Sequence, residues 1–250
     1  MGNKRTAGAD RGQFRLNRAI AATGFCSRRQ ADQLIAAGRI KVNRLRITDF
    51  NYLVDLGRDR LFVDGKPIAA KTCEYILIYK PRGVVTTMRD EKGRTTVVEL
   101  LPRELRHLKP VGRLDMDSEG LLLLTNDGDL AQHLAHPSNH IFKFYKVWVD
   151  GQVSDEFLDA MCEGVRLDDG MTLPARVRLI KRNEDESQFE IGIQEGRNRQ
   201  IRRMCATLGY PVIRLVRVAI GELQLRLMEP GQWRHLTKAE LDKLRVSQGE

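Results

Sequence analysis

The feature of this sequence that most limits its fold is a run of four leucines, Leu121 to Leu124, preceded by a polar loop. A run of this length fits a β-strand and is far shorter than the roughly 18 apolar residues of a membrane-spanning helix. The loop, Val111 to Gly120, is rich in glycine and carboxylates. We therefore predict a buried strand whose entry loop holds polar side chains at the edge of a rigid core. Without further information, the loop could equally be a turn whose aspartates cap backbone N–H groups.

The other strand and helix segments lack the regular βαβ alternation of a doubly wound fold. They predict an α+β protein with a mixed, mainly antiparallel sheet. Six segments have the pattern of strands: Tyr75–Tyr79, Leu121–Thr125, Tyr145–Val149, Ala175–Ile180, Phe189–Ile193 and Gly221–Leu227. Helices are expected after the capping residues Asp127, Ser154, Asn198 and Thr237.

The N-terminal quarter has a different pattern, in which two short helices precede short strands. Apolar residues at helical spacing predict one helix before Gly24, and a capping box at Ser27 and Gln30 opens a second. Strands are expected at Ile40–Val42 and at Leu61–Val63, the latter followed by a hairpin turn. We therefore predict three parts: a flexible basic leader at 1–13, a small αα-plus-strands domain at 14–72 and a larger α+β domain at 73–250.

The positive charge of the chain is concentrated in this N-terminal quarter. The whole chain carries a net charge of +9, whereas residues 1–70, with 14 basic and 6 acidic side chains, carry +8. Arg28 and Arg29 begin the second helix, and Lys41 follows on the next strand. Such an excess favours a polyanionic partner, and a solvated basic face is the alternative. We predict phosphate contacts at these three residues.

The cysteine spacing and the motifs for metals and cofactors limit which kinds of site the chain can contain. The four cysteines show no C-x-x-C spacing, which predicts reduced thiols in a cytoplasmic protein. His133, His136 and His140 have spacings that occur in zinc sites, but the sequence has no HExxH motif and no cysteine partner for them. Phosphate-binding glycine loops and a G-x-S-x-G elbow are also missing from the sequence. We predict neither a metal site nor a cofactor.

Two further motifs carry side chains suited to RNA. The segment Glu195–Met204 opens a predicted helix and contains four arginines in seven residues, which could bind phosphates or form surface ion pairs. The segment Phe142–Val149 interleaves aromatic residues with lysines at strand spacing. That pattern suits base stacking flanked by phosphate contacts, and it is equally typical of an amphipathic strand.

Taken together, the motifs closely resemble the bacterial ribosomal small-subunit pseudouridine synthase A family. The resemblance rests on Gly112–Asp115 with Ser118–Leu121, on the Lys80-Pro81-x-Gly83 turn, on Lys143-x-Tyr145 and on Asn198–Met204. Arg15–Asn17 and Gly24–Asp32 are similar to the S-four-like RNA-binding domain of that family. The resemblance covers roughly residues 14–245. One departure is Arg44, which stands where the family usually has glycine.

The resemblance implies an enzyme that converts a uridine of ribosomal RNA to pseudouridine. It implies Asp115 as the essential aspartate, Tyr145 as the active-site tyrosine and Arg202 as the basic partner of Asp115. RNA contacts are then expected at Arg113, Lys80, Arg199, Arg203, Arg28, Arg29 and Lys41. We expect a monomer that flips its target base out of the helical stack. The region from Asp115 to Gly151 favours large-subunit over small-subunit RNA.

The chemistry of the reaction fits these residue types. Isomerisation breaks the bond between uracil N1 and the sugar and rejoins the base through C5, without redox change, so no cofactor is needed. A carboxylate could act as the nucleophile or as a base, and a paired cation would keep it ionised. Two alternatives remain: a non-catalytic rRNA-binding or ribosome-assembly protein, and a metal-dependent nuclease, which would need clustered carboxylate ligands.

Overall fold

The structure, a computed structural model, describes residues 13–69 and 72–246 and divides into two compact units with the boundary between Cys73 and Glu74. The predicted leader lies outside the described residues except for Gln13, which already belongs to the first strand. Within the described residues, every helix is too short or too polar to cross a bilayer.

The N-terminal unit contains the two helices and the short strands that the sequence predicts. Ser27 and Gln30 form the predicted capping box at the second helix, with each side chain bonded to the other residue's backbone N–H. Leu16, Ile20 and Ile35 are fully buried in a core that these helices share with the strands. The elements are β1 (Gln13–Arg15), α1 (Leu16–Ala22), α2 (Arg28–Ala36), β2 (Ile40–Val42), β3 (Leu45–Arg46), β4 (Leu53–Asp55), β5 (Leu61–Val63) and β6 (Lys66–Ile68).

The second unit is built around one large sheet with helices at its faces. Its strands are β7 (Tyr75–Lys80), β8 (Lys109–Pro110), β9 (Glu119–Thr125), β10 (Lys143–Asp150), β11 (Arg166–Leu167), β12 (Gly170–Met171), β13 (Arg176–Arg182), β14 (Glu186–Ile193), β15 (Val212–Ile220), β16 (Leu223–Gln224) and β17 (Trp233–His235). Its α-helices are α3 (Gly128–Ala135), α4 (Asp155–Glu163), α5 (Gln200–Thr207) and α6 (Lys238–Val246), with 3₁₀ turns at Val97–Leu100, Arg103–Leu105 and Pro137–Asn139.

The strands of the large sheet run in the order β13-β14-β10-β15-β9-β7-β17. The β15–β9 pair is parallel, and the other neighbours in this order are antiparallel. At the parallel pair the backbones come very close, because a Cβ on Gly120 would lie 2.3 Å from the carbonyl oxygen of Arg217. The predicted α+β class with a mixed, mainly antiparallel sheet is confirmed.

The four leucines lie on β9, as predicted, and every residue of that strand is buried. Leu121 and Leu123 belong to a core cluster on one face of the sheet, whereas Leu122 and Leu124 belong to a cluster on the other. Because both faces are covered, this strand is rigidly fixed, and so is the point at which the loop before it ends.

Two local predictions are wrong. The strand expected at Gly221–Leu227 is reduced to β16, while β15, which the sequence pattern did not predict, lies at the centre of the sheet. Arginines interrupt the apolar pattern of β15, and pairing with strands on both sides stabilises it instead. Asn198 does not cap α5: Arg199 occupies the N-cap position in a left-handed conformation (φ 48°), without a side-chain capping bond.

Candidate active site

A cleft of about 310 Å³ opens between the loop before β9, the strand β10 and the start of α5. Its volume lies at the lower end of the range for small-molecule sites. Of the predicted site residues, the cleft brings together Asp115, Arg113, Tyr145 and Arg199. The remaining lining residues are Leu114, Ser118, Ile193, Gly196, Arg197, Asn198, Gln200, Ile201 and Leu215.

The loop that carries Asp115 is hydrogen-bonded to the chain segment after β7. The hydroxyl of Thr86 donates to the carbonyl of Leu114 at 2.8 Å, and the Gly83 N–H donates to the carbonyl of Met116 at 2.7 Å. Within the loop, the Ser118 N–H donates to the carbonyl of Asp115 at 3.1 Å. These bonds fix the backbone on both sides of Asp115, whose half-buried side chain lines the cleft.

Lys80 supports the same loop from inside the protein. Its ammonium donates to the carbonyl of Ser118 at 2.7 Å and to that of Pro81 at 3.0 Å, and the residue is fully buried. Burial lowers the pKa of Lys80 to about 8, against the opposing effect of the nearby carboxylates of Asp117, Glu119 and Asp115. The side chain of Lys80 has no exposed surface in this structure. Direct contact of Lys80 with RNA therefore stays a prediction, and the bonds to the loop are what the structure shows.

Arg202 is paired with Asp117 rather than with Asp115 among the described residues. Its Nε lies 3.3 Å from a carboxylate oxygen of Asp117, and it donates to the backbone carbonyls of Asp117 at 2.8 Å and Val212 at 3.1 Å. Burial lowers the pKa of Arg202, and the charges of Asp117 and, more weakly, Asp115 oppose that effect. The predicted direct pairing of Arg202 with Asp115 is corrected accordingly.

Asp117 is a residue that the sequence did not single out. Besides Arg202, it binds both terminal nitrogens of Arg199, at 3.0 and 2.7 Å. The hydrogen bonds from Arg199 hold the pKa of Asp117 below its usual value. Asp117 thus connects α5 to the loop two residues beyond Asp115. Its position between Asp115 and the buried strand was the only sequence signal available.

Arg203 was also predicted to bind RNA. It forms a two-point ion pair with Asp169, at 3.0 and 2.8 Å. Arg197 contacts the same aspartate and also Glu195. The alternative in which these arginines form ion pairs is therefore what the structure shows. Binding of phosphate by Arg199 and Arg203 stays a prediction, since both side chains retain exposed surface.

Tyr145 reaches the cleft from near the start of β10. It lies opposite Ile191 on β14 and Arg217 on β15, directly after a register shift between β10 and β15. Irregularities of this kind redirect a side chain and are common beside active sites. Ser118 adds a hydroxyl to the same lining: its Oγ is buried and has no hydrogen-bond partner among the described residues.

Arg28, Arg29 and Lys41, the predicted RNA contacts of the N-terminal unit, are all exposed on that unit. The two arginines begin α2, and Lys41 is the outward-facing residue of β2. Their exposure is compatible with phosphate binding and with a solvated basic face.

The fold and cleft define an enzyme-type site in which a carboxylate, an aromatic ring and several arginines surround one small cavity. Comparisons with known proteins agree with this class. Residues 74–207 match the family described as RNA pseudouridylate synthase, and residues 14–59 match the S4 domain. The chain is 40% identical over 234 residues to the ribosomal large subunit pseudouridine synthase B of Bacillus subtilis (strain 168), covering 93% of this chain and 96% of that protein.

Two further comparisons cover nearly the whole chain. An uncharacterized RNA pseudouridine synthase of Aquifex aeolicus (strain VF5) is 37% identical over 233 residues, with 93% of this chain and 94% of that protein covered. A crystal structure of a pseudouridylate synthase has a TM-score of 0.67 and 29% identity, covering 92% of this chain and 99% of the other. The chain belongs to the RNA pseudouridylate synthase family. The predicted enzyme class, an isomerase that forms pseudouridine in RNA, is confirmed.

Proposed function

We propose that this enzyme isomerises a uridine of large-subunit ribosomal RNA, with Asp115 as the catalytic carboxylate. The observation that carries this proposal is the shared cleft, in which Asp115 and Tyr145 line a cavity of nucleoside size beside the start of α5. The choice of the large subunit is supported by the Bacillus relative, which is named as a large-subunit synthase. The resemblance to the small-subunit synthase family makes small-subunit RNA the competing substrate. The enzyme would act in the cytoplasm as a monomer without a cofactor.

In this proposal each cleft residue has a separate role. The target uridine is flipped out of its stack, and its base lies against the ring of Tyr145. Asp115 either attacks the sugar or removes a sugar proton, and the bond between uracil N1 and the sugar breaks. The freed base turns and is rejoined to the sugar through C5. Arg202 and Arg199 contribute positive charge that favours the ionised carboxylates of the loop. Tyr145 also stands where it can take part in removing the C5 proton.

The test of the catalytic role is the substitution Asp115→Asn in the full-length enzyme. We expect tritium release from RNA labelled at uracil C5 to fall on the order of 10⁴-fold, the scale of losing an essential catalytic side chain. RNA affinity should stay within about twofold, because the shape of the side chain is retained. Asp159→Asn, a change at an exposed position of α4, is the matched control and should keep full activity. Substantial turnover by Asp115→Asn would refute the assignment.

The choice of RNA is tested separately, by mapping pseudouridine in ribosomal RNA from cells with and without this gene. We expect one modified position of the large-subunit RNA to be lost with the gene and restored by the wild-type enzyme, but not by Asp115→Asn. Loss of a position in small-subunit RNA would instead identify the competing substrate.

A further inference from the structure

The strand that brings Tyr145 to the cleft carries a second set of side chains on its opposite face. Consecutive residues of a strand point to opposite sides of the sheet. Tyr145 faces the cleft, so its neighbours Phe144 and Lys146 face away from it, and both line a separate groove. Across from them on β14 lie Gly192 and Glu190, respectively.

This groove has a volume of about 470 Å³, well within the range of small-molecule sites. Its lining combines apolar groups with cations at the edge. Val218, Ala219 and Leu225 are apolar, whereas Lys146 and Arg226 are basic. The remaining lining residues are Phe144, Glu190, Gly221 and Gln224. Such a mixture suits a flat, partly apolar ligand that carries negative charge.

An aromatic stack adjoins the groove, and a glycine makes room for it. A Cβ on Gly192 would lie 2.6 Å from the ring of Phe144, so the ring can lie across β14 only because residue 192 has no side chain. The ring of Phe142 lies 5.7 Å from that of Phe144, with an angle of 24° between their planes. The guanidinium of Arg176 lies 4.0 Å above Phe142. The two rings remain half-buried at the surface.

The charges around the groove favour an anionic ligand. Arg176 and Arg178 on β13 and Lys146 on β10 share this face of the sheet, since their registers place them opposite Gly192 and Glu190. Glu190 is the acidic residue of the lining, and Arg178 lies 3.5 Å from its carboxylate. With Arg226 the cations outnumber the one carboxylate, so the groove attracts phosphates.

We propose that this groove binds an unpaired nucleotide of the RNA substrate, outside the target uridine. Its base stacks on the accessible part of the half-buried ring of Phe144, and its phosphates contact Lys146 and Arg226. Stacking on an aromatic side chain flanked by basic residues is the general mode by which proteins bind single-stranded RNA. The two faces of β10 then have different tasks: one presents Tyr145 to the target, and the other holds flanking RNA. The proposal rests on the proposed function for the identity of the RNA.

The test measures steady-state kinetics and direct RNA binding with the full-length enzyme. Phe144→Leu removes the stacking ring and keeps an apolar side chain over Gly192, while Phe144→Tyr retains the ring. Lys146→Glu combined with Arg226→Glu reverses the charge at the edge. We expect Phe144→Leu and the charge-reversed double variant to raise KM and the RNA Kd by about fivefold or more, with kcat within twofold of wild type. Phe144→Tyr should keep the wild-type KM.

The matched control is Arg103→Glu combined with Lys109→Glu, which changes the net charge equally at exposed positions outside the groove. It should shift KM by less than the groove variants. Wild-type KM and Kd in both Phe144→Leu and the charge-reversed variant would overturn the proposal. A change in oligomeric state with unchanged KM would also overturn it and would identify a second copy as the occupant. Failure of the wild-type enzyme to release tritium from ribosomal RNA would count against the proposed function alone, because the Kd comparison still tests the groove.

Discussion

Two cations, Lys80 and Arg202, are hydrogen-bonded to the loop that carries Asp115. Lys80 donates to the backbone carbonyl of Ser118, and Arg202 donates to that of Asp117. Removing a cation from water costs free energy unless its N–H groups find hydrogen-bond acceptors. Because the acceptors here are carbonyls of the loop, we conclude that the two cations stabilise the loop conformation. We infer that both are positioning residues for Asp115.

Replacing Lys80 with Met should therefore affect turnover and not RNA binding. The substitution keeps the buried volume but removes the bonds to Ser118 and Pro81, which allows the loop to shift. We expect kcat to fall by about 10- to 100-fold, the effect of a displacement near 1 Å, with the RNA Kd unchanged. Lys109→Met, at an exposed lysine of β8, is the control. A raised Kd with normal kcat would show that Lys80 does contact RNA.

The substitution Arg202→Lys tests whether turnover requires the planar guanidinium of Arg202 or only its positive charge. A lysine keeps the positive charge but cannot bond the carbonyls of Asp117 and Val212 in the same fixed geometry. We expect kcat to fall by about tenfold for Arg202→Lys and further for Arg202→Ala.

In Arg202→Ala, the acid limb of the pH–rate profile should also move to higher pH, because losing a nearby cation favours protonated carboxyls. Arg182→Lys, at an ion pair outside the cleft, should change neither quantity. If only RNA affinity fell, Arg202 would be a phosphate contact.

At the scale of single elements, capping and ion pairing fix the helices against the sheet. Helix α6 shows this most clearly. Thr237 and Glu240 form the capping box that the sequence predicts, and Glu240 also binds both terminal nitrogens of Arg234 on β17, at 2.8 and 2.7 Å. The hydrogen bonds from Arg234 lower the pKa of Glu240 from 4.5 to about 2. One carboxylate therefore joins the last helix to the edge strand of the sheet.

The sign of this pKa shift sets the pH dependence of stability. Because the pKa of Glu240 is lower in the folded state, its contribution is complete above pH 4.5 and is lost as the pH falls toward 2. We expect Glu240→Gln to lower the free energy of unfolding by about 1–2 kcal/mol at pH 7, with the difference shrinking below pH 4.5. Urea unfolding at pH 7, 4.5 and 3.5 measures this, with the exposed Glu184→Gln as control. A difference that does not depend on pH would show that the ion pair contributes little.

At the scale of the whole molecule, the chain combines a basic N-terminal unit with a nearly neutral second unit. Residues 1–70 carry +8 of the net charge of +9. Each basic residue that neutralises a phosphate of single-stranded RNA adds about 0.7 to the slope of log affinity against log salt. The salt dependence of RNA binding should therefore arise largely in the N-terminal unit.

A triple substitution of Arg28, Arg29 and Lys41 with Ala tests this distribution. In the full-length protein we expect the slope to decrease by about 2, with kcat at saturating RNA unchanged. The control removes the same charge from exposed positions of the second unit with Lys92→Ala, Arg103→Ala and Arg166→Ala, and it should alter the slope less. Equal slopes for wild type and the first variant would show that these residues form only a solvated face, leaving the phosphate contacts to the second unit.

The sequence alone determined the features that depend on neighbouring residues. Capping boxes at Ser27 and Thr237 and the apolar strand at Leu121–Leu124 are local patterns, and the structure contains all three. The order of the motifs was sufficient to predict an RNA pseudouridylate synthase, and hence the fold and the reaction class. Asp115 and Tyr145 were singled out in the same way, and the structure places them in one cleft.

Only the tertiary structure determined which charged side chains pair with each other and which strand lies at the centre of the sheet. The strand β15 carries arginines that obscure its apolar pattern, and it is stabilised by partners distant in sequence. Likewise, the sequence predicted an RNA contact for Lys80, because a charged side chain is usually exposed, and a pairing with Asp115 for Arg202. The burial of Lys80, and the pairing of Arg202 with Asp117 across 85 residues, follow from how the sheet brings the loop and α5 together. Contacts between distant segments leave no local periodicity, so no pattern in the sequence could have revealed them.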